Sequence, residues 1–137
     1  MIRAVLDTNV VVSALISAAG NEALLLLAIA QGLLIPCYCA EIIEEYAEVL
    51  ARPKFDFQVE EVRAFVDMLR LRGESVTLGT LPGISPDPED DKFIACAQAA
   101  KAEFLVTGNK RHFPQERLPG ILVVAAPELL ERITLEI

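Results

Sequence analysis

Short apolar runs alternate with longer amphipathic ones along this chain. Ile2-Arg3-Ala4-Val5-Leu6 has the length of a strand and is almost wholly apolar, as a strand covered on both faces should be. It ends at Asp7-Thr8-Asn9, residues that start helices well, and Val10–Ile16 is apolar again, so a strand–turn–helix junction is predicted. Gly20-Asn21 breaks the chain, Glu22–Gln31 reads as a buried helix stopped by Gly32, and Leu33–Pro36 reads as a second strand. Ala40–Ala51 and Val59–Arg72 are amphipathic helices, closed by Arg52-Pro53 and by Gly73. Glu74–Leu78 is predicted as a short third strand near an edge. The stretch from Gly79 to Pro88 contains two glycines and three prolines and reads as a loop. An Ala-rich helix over Pro88–Ala102, a strand over Phe104–Thr107, a turn at Gly108-Asn109, a last strand over Ile121–Ala125 and a terminal helix from Pro127 complete the pattern.

Strands alternating with helices imply an α/β fold, a three-layer α/β/α sandwich around a mostly parallel sheet. With 137 residues and no linker, repeat or low-complexity tract, the expectation is a single domain over residues 1–137. In such sheets ligands bind beyond the carboxyl ends of the strands, which directs attention to the residues just after each strand.

Composition narrows the function. No apolar run approaches the length of about 18 residues that a membrane span needs, so no membrane partner is expected. Charges at Arg3 and Asp7 argue against a signal peptide, and the expected compartment is cytoplasmic. Cys37, Cys39 and Cys96 fit no zinc spacing and are expected to be buried free thiols. Twelve Lys and Arg against twenty Asp and Glu give a net charge of −8. That balance excludes nucleic-acid binding by bulk electrostatics but leaves room for a site that concentrates acids around a metal.

Three acidic features are candidates for one cluster. Asp7 follows the first strand, where it also suits a helix cap. In Glu41–Leu50, the apolar stripe is Ile42, Tyr46, Val49 and Leu50; Glu41, Glu44 and Glu48 project away, while Glu45 lies on the stripe's shoulder and is best placed to reach inward. In Asp87-Pro88-Glu89-Asp90-Asp91, Asp87 before Pro88 resembles an N-cap, and Asp90 suits a capping box. Asp90 also shares a face with Phe93, Ile94 and Ala97, which should meet the sheet; a carboxylate there needs a partner, and a metal supplies one. Asp91 is rotated away but close by. Carboxylates of this kind suit Mg²⁺ or Mn²⁺.

Together these segments resemble the PIN-domain family, in particular the VapC-like subgroup of toxins in toxin–antitoxin systems. The resemblance rests on Val5-Leu-Asp-Thr-Asn-Val10, Glu45-Tyr-Ala-Glu-Val-Leu50 with Arg52-Pro53-Lys54-Phe55, Asp87-Pro-Glu-Asp-Asp-Lys-Phe-Ile-Ala-Cys-Ala97, and Phe104-Leu-Val-Thr-Gly-Asn-Lys110. These pieces occur in the family's order and span nearly the whole chain. The resemblance implies an α/β/α fold with a metal-dependent RNA-cleaving site, Mg²⁺ or Mn²⁺ as cofactor, RNA as substrate, a cognate antitoxin and a homodimer. It matches Asp7 to the family's first acid, Glu45 to the second, and Asp90 or Asp91 to the third; the apolar face favours Asp90. Asn109 stands where many relatives carry Asp, and His112 where others carry an acid, so the fourth carboxylate is missing at both places. Thr8, Asn9 and Thr107 match polar positions around the family's site. Lys110, Arg111, His112 and Arg117 form a small basic group after the fourth strand that could contact phosphates.

The function expected on this basis is a divalent-metal-dependent endoribonuclease. Asp7, Glu45, Asp90 and Asp91 are the candidate metal ligands and, with Asn109, the candidate catalytic residues. Thr8, Asn9, Thr107, Lys110 and Arg111 are the candidate substrate contacts. The resemblance implies products with 5′-phosphate and 3′-hydroxyl ends. The alternative is a PIN domain that binds RNA or a protein without cleaving. A phospho-receiver domain fits less well, because Asp7 stands alone where paired acids are usual. A phosphatase with an Asp nucleophile would want an acid at Asn9, and no Gly-rich loop follows a strand as nucleotide binding would require.

Overall fold

The structure is a computed structural model that describes residues 1–137. Five strands, β1 (Ile2–Leu6), β2 (Leu34–Tyr38), β3 (Glu74–Ser75), β4 (Phe104–Val106) and β5 (Leu122–Val124), form one sheet in the order β3-β2-β1-β4-β5. Every pairing is parallel, so the expected mostly parallel sheet is parallel throughout. In register, Ala4 of β1 lies between Pro36 of β2 and Phe104 of β4. Pro36 is tolerated inside β2, and the strand runs on to Tyr38 rather than ending at the proline.

The helices are α1 (Thr8–Ile16), α2 (Asn21–Ala30), α3 (Ala40–Leu50), α4 (Val59–Arg72), α5 (Asp91–Ala100) and α6 (Ala126–Glu136). Short 3-10 turns cover Pro53–Phe55, Pro88–Asp90, Lys110–His112 and Gln115–Arg117. No single helix is long and apolar enough to cross a membrane. The core is one cluster in which Val5, Leu6, Leu25, Ile42, Phe93 and Leu105 are almost fully buried. Burial on this scale is worth about 1.5–3 kcal/mol for each large apolar side chain, which is what holds the helices on the sheet. All three cysteines are buried free thiols, as expected.

Two further expected elements differ. The third strand shrinks to Glu74–Ser75 at the sheet edge, and Val76 keeps only a single bond, from its amide to the Tyr38 carbonyl. Gly73 permits this join. A Cβ there would lie 2.5 Å from the Pro36 carbonyl and 2.6 Å from that of Leu69, so any side chain would push β2 and α4 apart. The helix expected from Pro88 instead begins at Asp91, after the 3-10 turn. That change of winding sets where the neighbouring acids point.

Candidate metal centre

The sheet order reverses between β1 and β4. One neighbour leads out to β2 and β3, the other to β5. This is the switch point at which an open parallel sheet leaves a crevice beyond its strand ends. Asp7 follows β1 and Thr107 follows β4. Asp7 occupies the N-cap position of α1, yet its side chain makes no capping bond. Its Oδ2 accepts from the Thr107 hydroxyl at 2.7 Å instead. Thr107 Oγ1 accepts in turn from the Asn109 amide at 2.9 Å, which ties the post-β4 turn to the same carboxylate.

α3 brings the second acid. Its buried face carries Ile42, Ile43, Tyr46 and Leu50, and the Tyr46 hydroxyl donates to the Leu6 carbonyl just before Asp7. Glu45, next to this anchor, is thereby directed over the end of β1. One of its oxygens accepts from the Thr8 hydroxyl, and the other lies 2.5 Å from Lys92 Nζ. The third acid ends the 3-10 turn before α5. Asp90 Oδ2 lies 2.6 Å from His112 Nδ1. Asp7, Glu45, Asp90, Asn109 and His112 all line one cavity of about 420 Å³, together with Thr8 and Asn9. Glu48, Arg52 and Glu89 stand on its walls.

These carboxylates feel one another. Burial pushes the Asp7 carboxyl up to about 6; the Thr107 hydrogen bond and the Thr8 amide oppose this, while the charges of Asp90 and Glu45 add to it. Asp90 is likewise raised above the usual carboxylate range, first by burial, against its bond to His112, with Asp87 and Glu45 contributing repulsion. A divalent cation would offset both the desolvation and the repulsion. The donors are hard oxygens around a solvent-connected cavity, which fits a cation of the Mg²⁺ or Mn²⁺ class that keeps several waters.

Several expected site residues lie elsewhere. Asp91 is only 3% exposed and is not in the cavity. Its Oδ2 accepts from the Gly83 amide at 2.7 Å, and its Oδ1 from those of Ile84 and Ser85 at 2.9 and 3.0 Å. Burial alone would raise its carboxyl, but these three amides outweigh burial and hold it below the usual range. Asp91 is therefore a loop clamp, which corrects its place among the candidate ligands. The 3-10 winding of Pro88–Asp90 separates the two acids: Asp90 meets the cavity and Asp91 the loop. Asp87 does cap this turn, accepting from the Glu89 amide at 3.0 Å, whereas Asp90 makes no side-chain capping bond.

Thr107 is 1% exposed, and its hydroxyl is directed at Asp7. Asn9 Oδ1 accepts from the Gly108 amide at 3.2 Å and lines the cavity. Lys110 is outside the cavity, 2.6 Å from Glu128 at the start of α6, and exposed Arg111 borders a different depression. The expected basic rim is not assembled by these two residues. Lys92 and His112 are the cationic or imidazole groups actually held against the acids. Lys92 carried no signal in the sequence beyond its place beside Asp91. His112 did, as the residue standing where relatives carry an acid.

The sequence model of the PIN domain family matches residues 3–111. This chain belongs to the PIN domain family. The match contains Asp7, Glu45, Asp90 and Asn109 and stops one residue before His112. Among solved structures, the PIN domain here is similar to a chain of VapBC2 from Rickettsia felis, crystallised bound to a DNA fragment from their promoter. The two are 18% identical, with a TM-score of 0.59, and the alignment covers 89% of this chain and 97% of that one. That likeness establishes the α/β/α PIN fold. No curated protein sequence matches this PIN domain at a significant level.

Proposed function

We propose that this PIN domain is a divalent-metal-dependent endoribonuclease and the toxin of a toxin–antitoxin pair. The observation that carries the proposal is the convergence of Asp7, Glu45 and Asp90, from three separate segments, on one polar cavity at the switch point of the sheet. When bound, Mg²⁺ or Mn²⁺ would polarise a phosphate and make a coordinated water a nucleophile near neutral pH.

The chain's own residues do the rest. Thr107 fixes the Asp7 carboxylate, Tyr46 anchors the turn of α3 that bears Glu45, and the Thr8 hydroxyl orients Glu45. Asn9 and Asn109 offer amide groups at the cavity wall, suited to a phosphate or its attacking water. Arg52, paired with exposed Glu48 at 3.2 Å, is the guanidinium that lines the cavity.

The toxin reading draws support from the family and from the VapBC2 fold likeness. A cognate antitoxin and a homodimer follow as part of it, with Leu24 and Leu27 of α2, 47% and 52% exposed, as apolar surface for a second copy. Three buried reduced thiols suit the cytoplasm as the setting. A non-cleaving binding module is the second reading. It is favoured by Asn109 in the fourth acid's place and by Lys92 already held against Glu45.

The deciding experiment incubates the purified chain with end-labelled single-stranded and structured RNA, with Mg²⁺, Mn²⁺ or EDTA. Internal cleavage that needs the metal and leaves 5′-phosphate ends supports the enzyme. RNA binding without cleavage in any metal supports the binding module.

A further inference from the structure

A chain with a net charge of −8 cannot hold RNA by bulk attraction, and Lys110 and Arg111 do not line the cavity. Grip must come from a local group of cations and from contacts that do not depend on charge. The segment leaving α3 carries both. Arg52 lines the cavity, and the 3-10 turn Pro53–Phe55 follows it directly. The Phe55 amide donates to the Arg52 carbonyl at 3.1 Å, which keeps the two residues within about 7 Å of each other. Asp56 takes left-handed backbone, φ 53°, and the Phe57 ring stacks on that of Phe55, with centroids 5.7 Å apart and planes 17° from parallel. The two rings differ in their support. Phe57 packs against the core, whereas Phe55 is half-buried and outside it. Phe55 therefore rests on Phe57 as an aromatic platform close to the cavity. Exposed Lys54 places Nζ 5.1 Å from the Phe55 centroid and pairs with no carboxylate. Arg52 pairs only with exposed Glu48, an i,i+4 contact that a phosphate readily displaces.

We propose that Arg52, Lys54 and Phe55 form a nucleotide subsite beside the cavity, in which an unpaired base stacks on Phe55 while Arg52 and Lys54 hold the neighbouring phosphates. The chain then takes single-stranded RNA in preference to a duplex. This rests on the reading that RNA is the substrate, and it adds where the strand is gripped. Stacking suits an acidic protein because it does not rely on net charge. Every base has a π-face, so the subsite tolerates any sequence, and each stacked base contributes enough to change affinity about tenfold. A base inside a duplex has both faces covered by its neighbours and cannot use the platform. The two cations flank the ring in sequence, and Pro53 fixes the backbone between them at the first position of the turn. Arg52-Pro53-Lys54-Phe55 thereby gains a role that the metal centre leaves unassigned.

The test is fluorescence anisotropy of a labelled single-stranded oligoribonucleotide and of an RNA duplex, titrated with the full chain in Mg²⁺. Asp7→Asn is the background, so that the RNA stays intact. Phe55→Leu should weaken single-strand binding about tenfold and leave duplex binding within about twofold. Phe55→Trp should restore single-strand binding, which a loss of packing alone would not allow. Lys54→Gln should reduce the slope of log affinity against log salt by about 0.7, the share of one phosphate contact on a single strand. Melting of each variant at the background temperature excludes misfolding as the cause, and Lys54→Gln tests the subsite without touching the ring. Single-strand binding that Phe55→Leu leaves unchanged, a loss shared equally by Phe55→Trp or by the duplex, or no binding of single-stranded RNA at all, overturns the proposal. Metal-dependent cleavage by a chain whose RNA binding ignores Phe55 would refute the subsite and leave the ribonuclease standing. Phe55-dependent binding without cleavage in any metal would refute the ribonuclease and leave the subsite standing.

Discussion

The Thr107 hydroxyl donates to Asp7 Oδ2 across the junction of β1 and β4, two residues one hundred positions apart and 2.7 Å in contact. The bond explains why Asp7 does not cap α1 although it sits at the cap. It stabilises the charged form of a carboxyl that burial would otherwise keep protonated. Thr107→Val keeps the shape and removes the donor. It should cost about 1–3 kcal/mol of stability at neutral pH and raise the Asp7 pKa further. Denaturant unfolding and NMR titration of the Asp7 carboxyl measure the two effects. An unaltered Asp7 titration would contradict this role.

Asp7 titrates near 6 in the folded chain against an ordinary 3.8. The folded state therefore holds this proton more tightly than the unfolded state, and stability falls as pH rises between those values. The full loss at this site is about 3 kcal/mol, of which about 1.4 kcal/mol falls between about pH 5 and pH 7.5. Asp90, also raised, acts in the same direction. The depressed carboxyl of Asp91 acts oppositely, but only below about pH 4. Urea unfolding in EDTA should show the metal-free protein losing stability over this range, and Asp7→Asn should flatten much of the slope. Equal slopes in the two proteins would count against a buried, repelled Asp7.

The adjacent acids Asp90 and Asp91 should separate cleanly. Asp91→Asn replaces a carboxylate that accepts from three loop amides, so it should lower stability by about 3 kcal/mol while divalent-ion affinity changes only a few-fold. Asp90→Asn should do the reverse, weakening metal binding strongly with little loss of stability. Melting curves and calorimetric titration on both variants check this; a strong metal defect in folded Asp91→Asn would return that residue to the site.

Lys92 competes with any cation for Glu45. Its ammonium lies 2.5 Å from one Glu45 oxygen, with the two side chains 15% and 22% exposed. Lys92→Met removes the competitor and keeps most of the stem. A partly exposed pair is worth about 1 kcal/mol, so divalent-ion affinity should rise about fivefold. Weaker metal binding in this variant would mean that Lys92 helps to assemble the site.

Much of this was legible in the chain. The alternation of apolar runs gave the parallel sheet, and the rule that ligands gather at strand ends singled out Asp7. Glu45 was distinguishable from Glu41, Glu44 and Glu48 by its phase against Ile42 and Tyr46. The phase of Phe93, Ile94 and Ala97 likewise favoured Asp90 over Asp91, but it could not show that the amides of Gly83, Ile84 and Ser85 take up the Asp91 carboxylate, because they come from the preceding loop. The partners of the acids were also hidden. Lys92 reaches Glu45 only because α3 and α5 pack side by side, and Lys110 turns to Glu128, which lies eighteen residues further on. Such pairings depend on how elements dock, which periodicity along one element does not encode.

The most direct measurement is the rate of internal RNA cleavage as a function of Mn²⁺ concentration, for wild type and Asp7→Asn, with EDTA as the metal-free limit. Wild type should cleave with a rate that saturates in Mn²⁺ and vanishes in EDTA. Asp7→Asn should be folded, at least as stable without metal, and slower by about a hundredfold or more, the scale of losing one electrostatic element of a catalytic site. Cleavage that persists in EDTA, or that Asp7→Asn supports at the wild-type rate, would contradict a metal-dependent ribonuclease built on Asp7, Glu45 and Asp90.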